Sequence, residues 1–342
     1  MNIITSEFNF DFRYLKEPGS YEWIYFDMIS ECGNYSLVVI FYCGFPFASR
    51  YNKAIRKYPD ISGKVNLSAR DFPAVSFCLY KGKEKIVNIH RIFPKEKLLN
   101  NTGEIRIGDN TLKTITENGI NKYLLNINLD FPYRKAKLFS EIGITEVVNV
   151  LNSKETNYFT EFDKKHFWSP RSPLTDVKAK IIIDNEEINI KGTGYSDRNY
   201  GIIPIFHNIK EWFWGRFQTD WINLIYYHIN YFNNEPLRIL FLFDKEGLTG
   251  FYSQFDENFT RKRNYFLLNY FKEIKISNES ISFKMLNSKR VDNGPFYIRF
   301  LSDFIVNYKR ASFSGKGFSE YISPQRLRYL FLHPFINVKI KS

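Results

Sequence analysis

Apolar residues in this chain recur at every second position, in short runs cut by turns rich in Gly, Asn and Asp. A period of two marks strands, because successive side chains leave a strand on opposite faces. Trp23 to Ile29 and Tyr35 to Cys43 are two such runs around Gly33-Asn34, which predicts a hairpin. Ala74 to Tyr80 and Lys85 to Ile92 flank Lys81-Gly82-Lys83, and Glu104 to Ile107 and Thr111 to Ile115 flank Gly108-Asp109-Asn110. Lys122 to Asp130 and Ala136 to Ile142 follow. The second half has the same texture, from Val177 to Ile183 and Glu187 to Gly192 around Asp184-Asn185, through Trp212 to Thr219 and Asn223 to Asn230, to Tyr297 to Tyr308 and Ser312 to Phe318. Only Ser49 to Tyr58 and Pro324 to Phe331 carry helix signals. Short strands at even spacing predict an all-β chain of antiparallel barrels or sandwiches with few short helices.

A chain of 342 residues suits two domains. The Pro-rich segment Lys164 to Thr175 reads as a connection, so the expected division is residues 1–170 and 171–342. Aromatic residues make up 18%, with 34 Phe and 23 Tyr. Large rings suit strands and line pockets, so each barrel is expected to present an aromatic, apolar cup.

The net charge of +12 raises the question of nucleic acid or an anionic membrane surface. The basic residues are scattered, and the densest clusters, Arg261-Lys262-Arg263 and Lys81 to Lys85, are short. No nucleic-acid motif accompanies them, so no nucleic-acid partner is expected. A Lys-rich solvated surface is the plain reading, and weak attraction to anionic lipid is the functional alternative. Cys32, Cys43 and Cys78 are odd in number and not at metal-ligand spacing. Met1 to Tyr14 shows no basic stretch followed by an apolar one. The longest apolar run, Tyr35 to Phe47, is too short to span a bilayer. The expected location is the cytoplasm, at most peripheral to the inner membrane. No dinucleotide fingerprint, phosphate loop or Gly-x-Ser-x-Gly elbow occurs, and the Cys and His spacing leads to no expected metal.

The densest constellation is Gly192-Thr-Gly-Tyr-Ser-Asp-Arg-Asn-Tyr-Gly201. Spacing alone leaves two readings open: a Gly-rich barrel corner with a satisfied Asp197–Arg198 neighbourhood, or a chemical site. Tyr195 and Asp197 are two apart, so an extended backbone puts both on one face, with Ser196 opposite. A carboxyl enclosed by rings loses solvation and holds its proton more firmly, as a general acid must. His166-Phe-Trp168-Ser-Pro170 is a second constellation, in which His166 and Trp168 share a face. No second His lies at ligand spacing, and an indole near an acid suits a developing cation. Trp212, Trp214 and Arg216 alternate onto one face of a third run. They read either as substrate contacts or as a core strand with a salt-bridged Arg.

Gly-Tyr-x-Asp-x-Asn-x-Gly ahead of Trp-x-Trp-Gly-Arg, with His-x-Trp-x-Pro some thirty residues earlier, resembles the carotenoid 1,2-hydratase (hydroxyneurosporene synthase) family. Tyr25-Phe26-Asp27, Val38 to Phe41, Phe47 to Tyr51 and Gly315 to Tyr321 are similar too. The resemblance implies two lipocalin-like barrels in tandem and cofactor-independent addition of water to a terminal isoprenoid double bond. It places the functional set on His166, Trp168, Tyr195 and Asp197. Separately, Asn199, Trp212, Trp214 and Arg216 are the expected substrate contacts. Asp197 would give the proton, Trp168 and Tyr195 would shield the cation, and His166 would orient Asp197 or water. The chain is shorter and richer in Lys and Asn than typical hydratases, and similar folds serve fungal pericyclases and tocopherol-cyclase-like proteins. The expected partner is an apolar polyene or isoprenoid. Acid-catalysed hydration, or the related cyclisation, is the expected activity; pericyclic catalysis and simple carriage of an apolar ligand are its rivals.

Overall fold

The computed structural model describes residues 11–13, 15–56, 67–132, 135–148, 166–219 and 221–335. The first half holds β1 (Tyr21–Ser30), β2 (Tyr35–Cys43), helix α1 (Ser49–Arg56), β3 (Pro73–Lys81), β4 (Glu84–Ile92), β5 (Leu98–Asn101), β6 (Glu104–Ile107), β7 (Asn110–Glu117), β8 (Ile120–Asp130), β9 (Lys137–Val148), β10 (His166–Ile183) and β11 (Glu186–Gly201). The second holds a single helical turn, α2 (Ile205–Asn208), then β12 (Ile209–Gln218), β13 (Asn223–Tyr231), β14 (Leu237–Asp244), β15 (Gly247–Tyr252), β16 (Asp256–Arg263), β17 (Asn269–Ser277), β18 (Ile281–Asn293), β19 (Tyr297–Tyr308) and β20 (Ala311–Ile322). The expected helix at 324–331 is 3-10 turns instead, at Pro324–Arg328 and Leu330–Phe335. The predicted hairpins stand where the turns put them. Asp184 and Asn185, at φ 51° and 75°, close β10 onto β11 in the left-handed two-residue turn that matches strand twist. The four-residue β5 and the mostly polar β16 escaped the periodicity.

These strands make two large antiparallel sheets, each curled into a half-barrel. The first has the order β4-β3-β2-β1-β11-β10-β9-β8-β7-β6-β5, the second β15-β14-β13-β12-β20-β19-β18-β17-β16. Two compact units, Met1–Pro204 and Ile205–Ser342, contain one sheet each. The expected boundary at 170/171 therefore falls inside β10. The Pro-rich stretch read as a connection is ladder: Pro170 pairs with Asp197, and the prolines are accommodated by register shifts between Pro170 and Ser172 and between Ser172 and Thr175. Bulges of this kind are where a strand tolerates proline.

Each half-barrel has its own core. In the first, Ile24, Phe26 and Met28 of β1 meet Val39 and Phe41 of β2, Leu125 and Ile127 of β8, and Val177 and Ile181 of β10. In the second, Phe213 and Phe217 of β12 meet Tyr226, Leu240, Phe271, Phe283 and Phe304. The space left among Phe26, Met28, Val39, Leu125, Ile142 and Val177 is ≈ 10 Å³, so this stretch of the first interior is packed rather than an open cup.

Strands β8 and β9 alternate buried and exposed residues, with one face to solvent. Strands β1 and β2, and the half of β11 from Tyr195 to Gly201, are buried on both faces. Burial of a second face is what a run such as Tyr21 to Met28 requires, since polar alternation is lost there. The glycines of β11 make the close approach. A Cβ on Gly194 would lie 2.3 Å from the carbonyl oxygen of Asp27, and one on Gly192 would lie 2.1 Å from that of Ile29.

Candidate active site

The site is built on the doubly buried face of β1, β10 and β11, opposite the core. Residues directly opposed on antiparallel strands project to one side. Trp168 opposes Asn199, Tyr25 opposes Asp197 and Asp27 opposes Tyr195. All six side chains therefore share one face, while Phe26, Ser196 and Arg198 turn inward.

Asp197 is the focus. Its carboxyl is 5% exposed and accepts from three donors. The Trp168 indole N–H and the Tyr195 hydroxyl both reach Oδ2 at 3.0 Å, and the Asn199 amide reaches Oδ1 at 2.9 Å. Trp168, Tyr195 and Asn199 are themselves buried. Burial, then the Asp197 charge, drives the Tyr195 phenol well above its ordinary range, so it is a donor at any working pH. The structure thus brings four of the expected residues into one hydrogen-bonded group.

His166 stands two residues before Trp168 on the same face, with Nδ1 2.8 Å from the Tyr21 hydroxyl. Burial pulls its imidazole down to about 3, so it is neutral under physiological conditions. Around it lies an aromatic wall outside the three sequence motifs: Trp23 stacks on Tyr21 at 5.5 Å and stands 6.3 Å from the His166 ring, with Phe47 at 5.8 Å. Asp27 and Tyr25 were also missed as site residues. The sequence held a signal for them, since Asp27 is an acid set in the middle of an apolar run, Trp23 to Ile29. Asp27 is 3% exposed and accepts from the Tyr25 hydroxyl at 3.1 Å.

The Asp197–Arg198 neighbourhood envisaged as a structural alternative resolves into two faces. Arg198 lies on the core side and donates through Nε to Glu22 at 2.6 Å and through Nη2 to the Asp11 carbonyl at 2.6 Å. The glycines and Arg198 thus build the strand, and Tyr195, Asp197 and Asn199 line its other side.

Trp212, Trp214 and Arg216 belong to the second unit, on the face of β12 away from its core. All three are buried. Trp212 packs on Tyr227 at 5.6 Å, and the Arg216 guanidinium lies over Phe318 at 5.7 Å. The interior of the same unit carries a polar group that the sequence did not suggest. Glu257 of β16 accepts from the Tyr226 hydroxyl, lies 3.1 Å from His228 Nδ1 and forms an ion pair with Arg238 Nε at 3.4 Å. Burial raises the Glu257 carboxyl to about 7 and lowers the His228 imidazole to about 4. Beside it, Arg261 holds Glu211 through two nitrogens at 2.7 and 2.9 Å. Both groups join the edge strand β16 to β12–β14 and tie the curl together. Among the described residues, no cluster of three or more His, Cys, Asp or Glu could hold a metal ion.

A model of the carotenoid hydratase CrtC family matches residues 96–342, well over half of the chain. The chain belongs to that family. The matched span takes in β10 and β11 and so the whole Asp197 group; β1 lies outside it. Among relatives, a hydroxyneurosporene dehydrogenase of Chlorobaculum tepidum is 26% identical over 343 residues, covering 96% of this chain and 89% of that protein. An acyclic carotenoid 1,2-hydratase of Thiocapsa roseopersicina is 25% identical over 209 residues, 59% of this chain and 45% of the hydratase. Two solved structures share the CrtC-family chain's fold. CghA in complex with Sch210972 aligns with a TM-score of 0.60 at 11% identity, over 90% of this chain and 89% of that one. Kievitone hydratase of Nectria haematococca aligns at 0.55 and 12%, over 94% and 98%.

Proposed function

We propose that this protein is a hydro-lyase that adds water to a C=C bond of an acyclic isoprenoid or carotenoid by acid catalysis from Asp197, without a cofactor. The observation that carries this reading is one buried carboxyl held by an indole, a phenol and an amide. The family and the relative named as a hydratase support it.

The chemistry balances with water alone. Asp197 transfers its proton to the less substituted alkene carbon, leaving a tertiary cation and a carboxylate. Water attacks the cation, and the proton it sheds returns to Asp197. The three donors stabilise the carboxylate formed in the first step, as charge-assisted hydrogen bonds do. The faces of Trp168 and Tyr195 would stabilise the cation by ~1–2 kcal/mol each in a dry site. Neutral His166, fixed by Tyr21, is suited to orient the water. Hydration rather than ring closure follows if water reaches the cation before a second double bond does.

The experiment is incubation with an acyclic carotenoid and mass analysis of the product. A gain of one water in the wild type, lost in Asp197→Asn with the fold intact, is expected. Loss of two hydrogens would indicate dehydrogenation, and an unchanged mass would indicate isomerisation or cyclisation. A polyene bound but returned unchanged would indicate a carrier. Each of these results replaces the proposal.

A further inference from the structure

Two carboxyls share the candidate site. Asp27 opposes Tyr195, and Tyr25 opposes Asp197, on adjacent strands. The four side chains form a square with the acids on one diagonal and the phenols on the other. The two rings meet edge to face at 6.3 Å. Each phenol donates to the acid two residues along its own strand, Tyr25 to Asp27 at 3.1 Å and Tyr195 to Asp197 at 3.0 Å. Diagonal neighbours across an antiparallel pair lie ~7–8 Å apart at Cα and closer at Cβ. Two acids, 3% and 5% exposed, thus occupy one small volume from which water is largely excluded. The charge of Asp27 already bears on the Tyr195 phenol.

Two carboxylates this close and this dry repel, and retention of one proton removes the repulsion. The proton then belongs to the pair rather than to either residue. We infer that Asp27 and Asp197 share one proton at neutral pH, which makes Asp27 the positioning residue that keeps the acid loaded. This rests on the reading of Asp197 as the proton donor. The other groups on this face agree with it. Strand β2 sets apolar Val38 and Ile40 opposite Asp27 and Tyr25. Strand β10 contributes Pro170, Trp168 and His166, and His166 is neutral. Strand β11 adds the uncharged Asn199 amide. Of the nearby cations, Arg198 turns to the core side against Glu22, and the charge of Arg171 bears on Tyr123.

The test is infrared spectroscopy of protein carrying ¹³C-labelled aspartate, at pH 7. The label separates these acids from Glu22 and Glu257, whose carboxyls are also raised by burial. A neutral carboxylic acid band that shifts with the label is expected in the wild type and lost in both Asp27→Asn and Asp197→Asn. A band surviving in either variant, or none in the wild type, overturns the inference. Turnover adds a second readout. Asp27→Asn is expected to lose about tenfold in rate at pH 7 and regain it at lower pH, while Asp197→Asn is inactive throughout. Asp197→Asn that still turns over sinks the hydratase mechanism and leaves the band to judge the pair. An inactive Asp197→Asn alongside an Asp27→Asn of wild-type pH profile sinks the pair alone. Should Asp27→Asn not fold, Tyr25→Phe removes the donor that favours the anion at Asp27. It is expected to carry the band to higher pH, and an unshifted band overturns the inference.

Discussion

The indole N–H of Trp168 reaches Oδ2 of Asp197 at 3.0 Å across the β10–β11 ladder, diagonally past Asn199 and Pro170. One side chain can thus hold the acid by its edge and offer its face to a cation. The two roles separate by substitution. Trp168→Phe keeps a ring and removes the donor, and its kcat for an acyclic carotenoid is expected to fall about tenfold. Trp168→Leu removes both and is expected to fall about a hundredfold, each factor of ten being ~1.4 kcal/mol. Equal losses in the two variants would show that the face contributes nothing.

Asn199 fixes the other carboxyl oxygen through Nδ2 at 2.9 Å. Asn199→Ala leaves a buried carboxylate with one donor fewer, at ~1–3 kcal/mol. Because the bond matters most once the proton has left, kcat is expected to fall at least tenfold with KM nearly unchanged. A rise in KM alone would place Asn199 in substrate binding instead.

The glycines of β11 are structural. Gly194→Ala drives a methyl to 2.3 Å from the Asp27 carbonyl oxygen, so β1 and β11 must separate. A loss of about 2–3 kcal/mol or more is expected by urea titration, as for other overpacked sites. Gly143→Ala on β9, where the new methyl meets nothing within 4 Å, is the control and is expected to be near neutral.

His166 and Glu257 carry opposite pH signs. His166, at about 3 when folded against an ordinary value of 6.5, takes up protons on unfolding between those values. Its contribution is complete above pH 6.5 and lost as pH falls towards 3. Glu257, at about 7 when folded against an ordinary 4.5, does the reverse: its contribution is complete below pH 4.5 and lost as pH rises through 7. Urea midpoints across pH 4 to 8 are expected to show His166→Gln less sensitive to acid and Glu257→Gln less sensitive to base than the wild type. A Glu257→Gln curve parallel to the wild type would refute the second assignment.

The period-two runs placed nearly every strand core, because alternation is a local consequence of burying one face. They failed where burial is not alternating. Lys164 to Thr175, with Pro170 and Pro173, reads as a connection, yet from His166 on its bulges let it run as the N-terminal half of β10; residues 164 and 165 lie outside the described residues. Strand β5 is only four residues long and β16 is mostly polar, and both are held by the neighbours that pair with them.

The sequence by itself determined that the chain is antiparallel β, that Tyr195 and Asp197 share a face, and that Ser196 does not. Each of these follows from the geometry of one extended strand. Only the tertiary structure decided which side of the sheet that face is on, that Arg198 serves Glu22 rather than Asp197, and that a second acid, 170 residues earlier in the chain, stands beside the first. Those facts depend on which strands become neighbours and in what register, and pairing over such separations is set by the packing of the whole sheet.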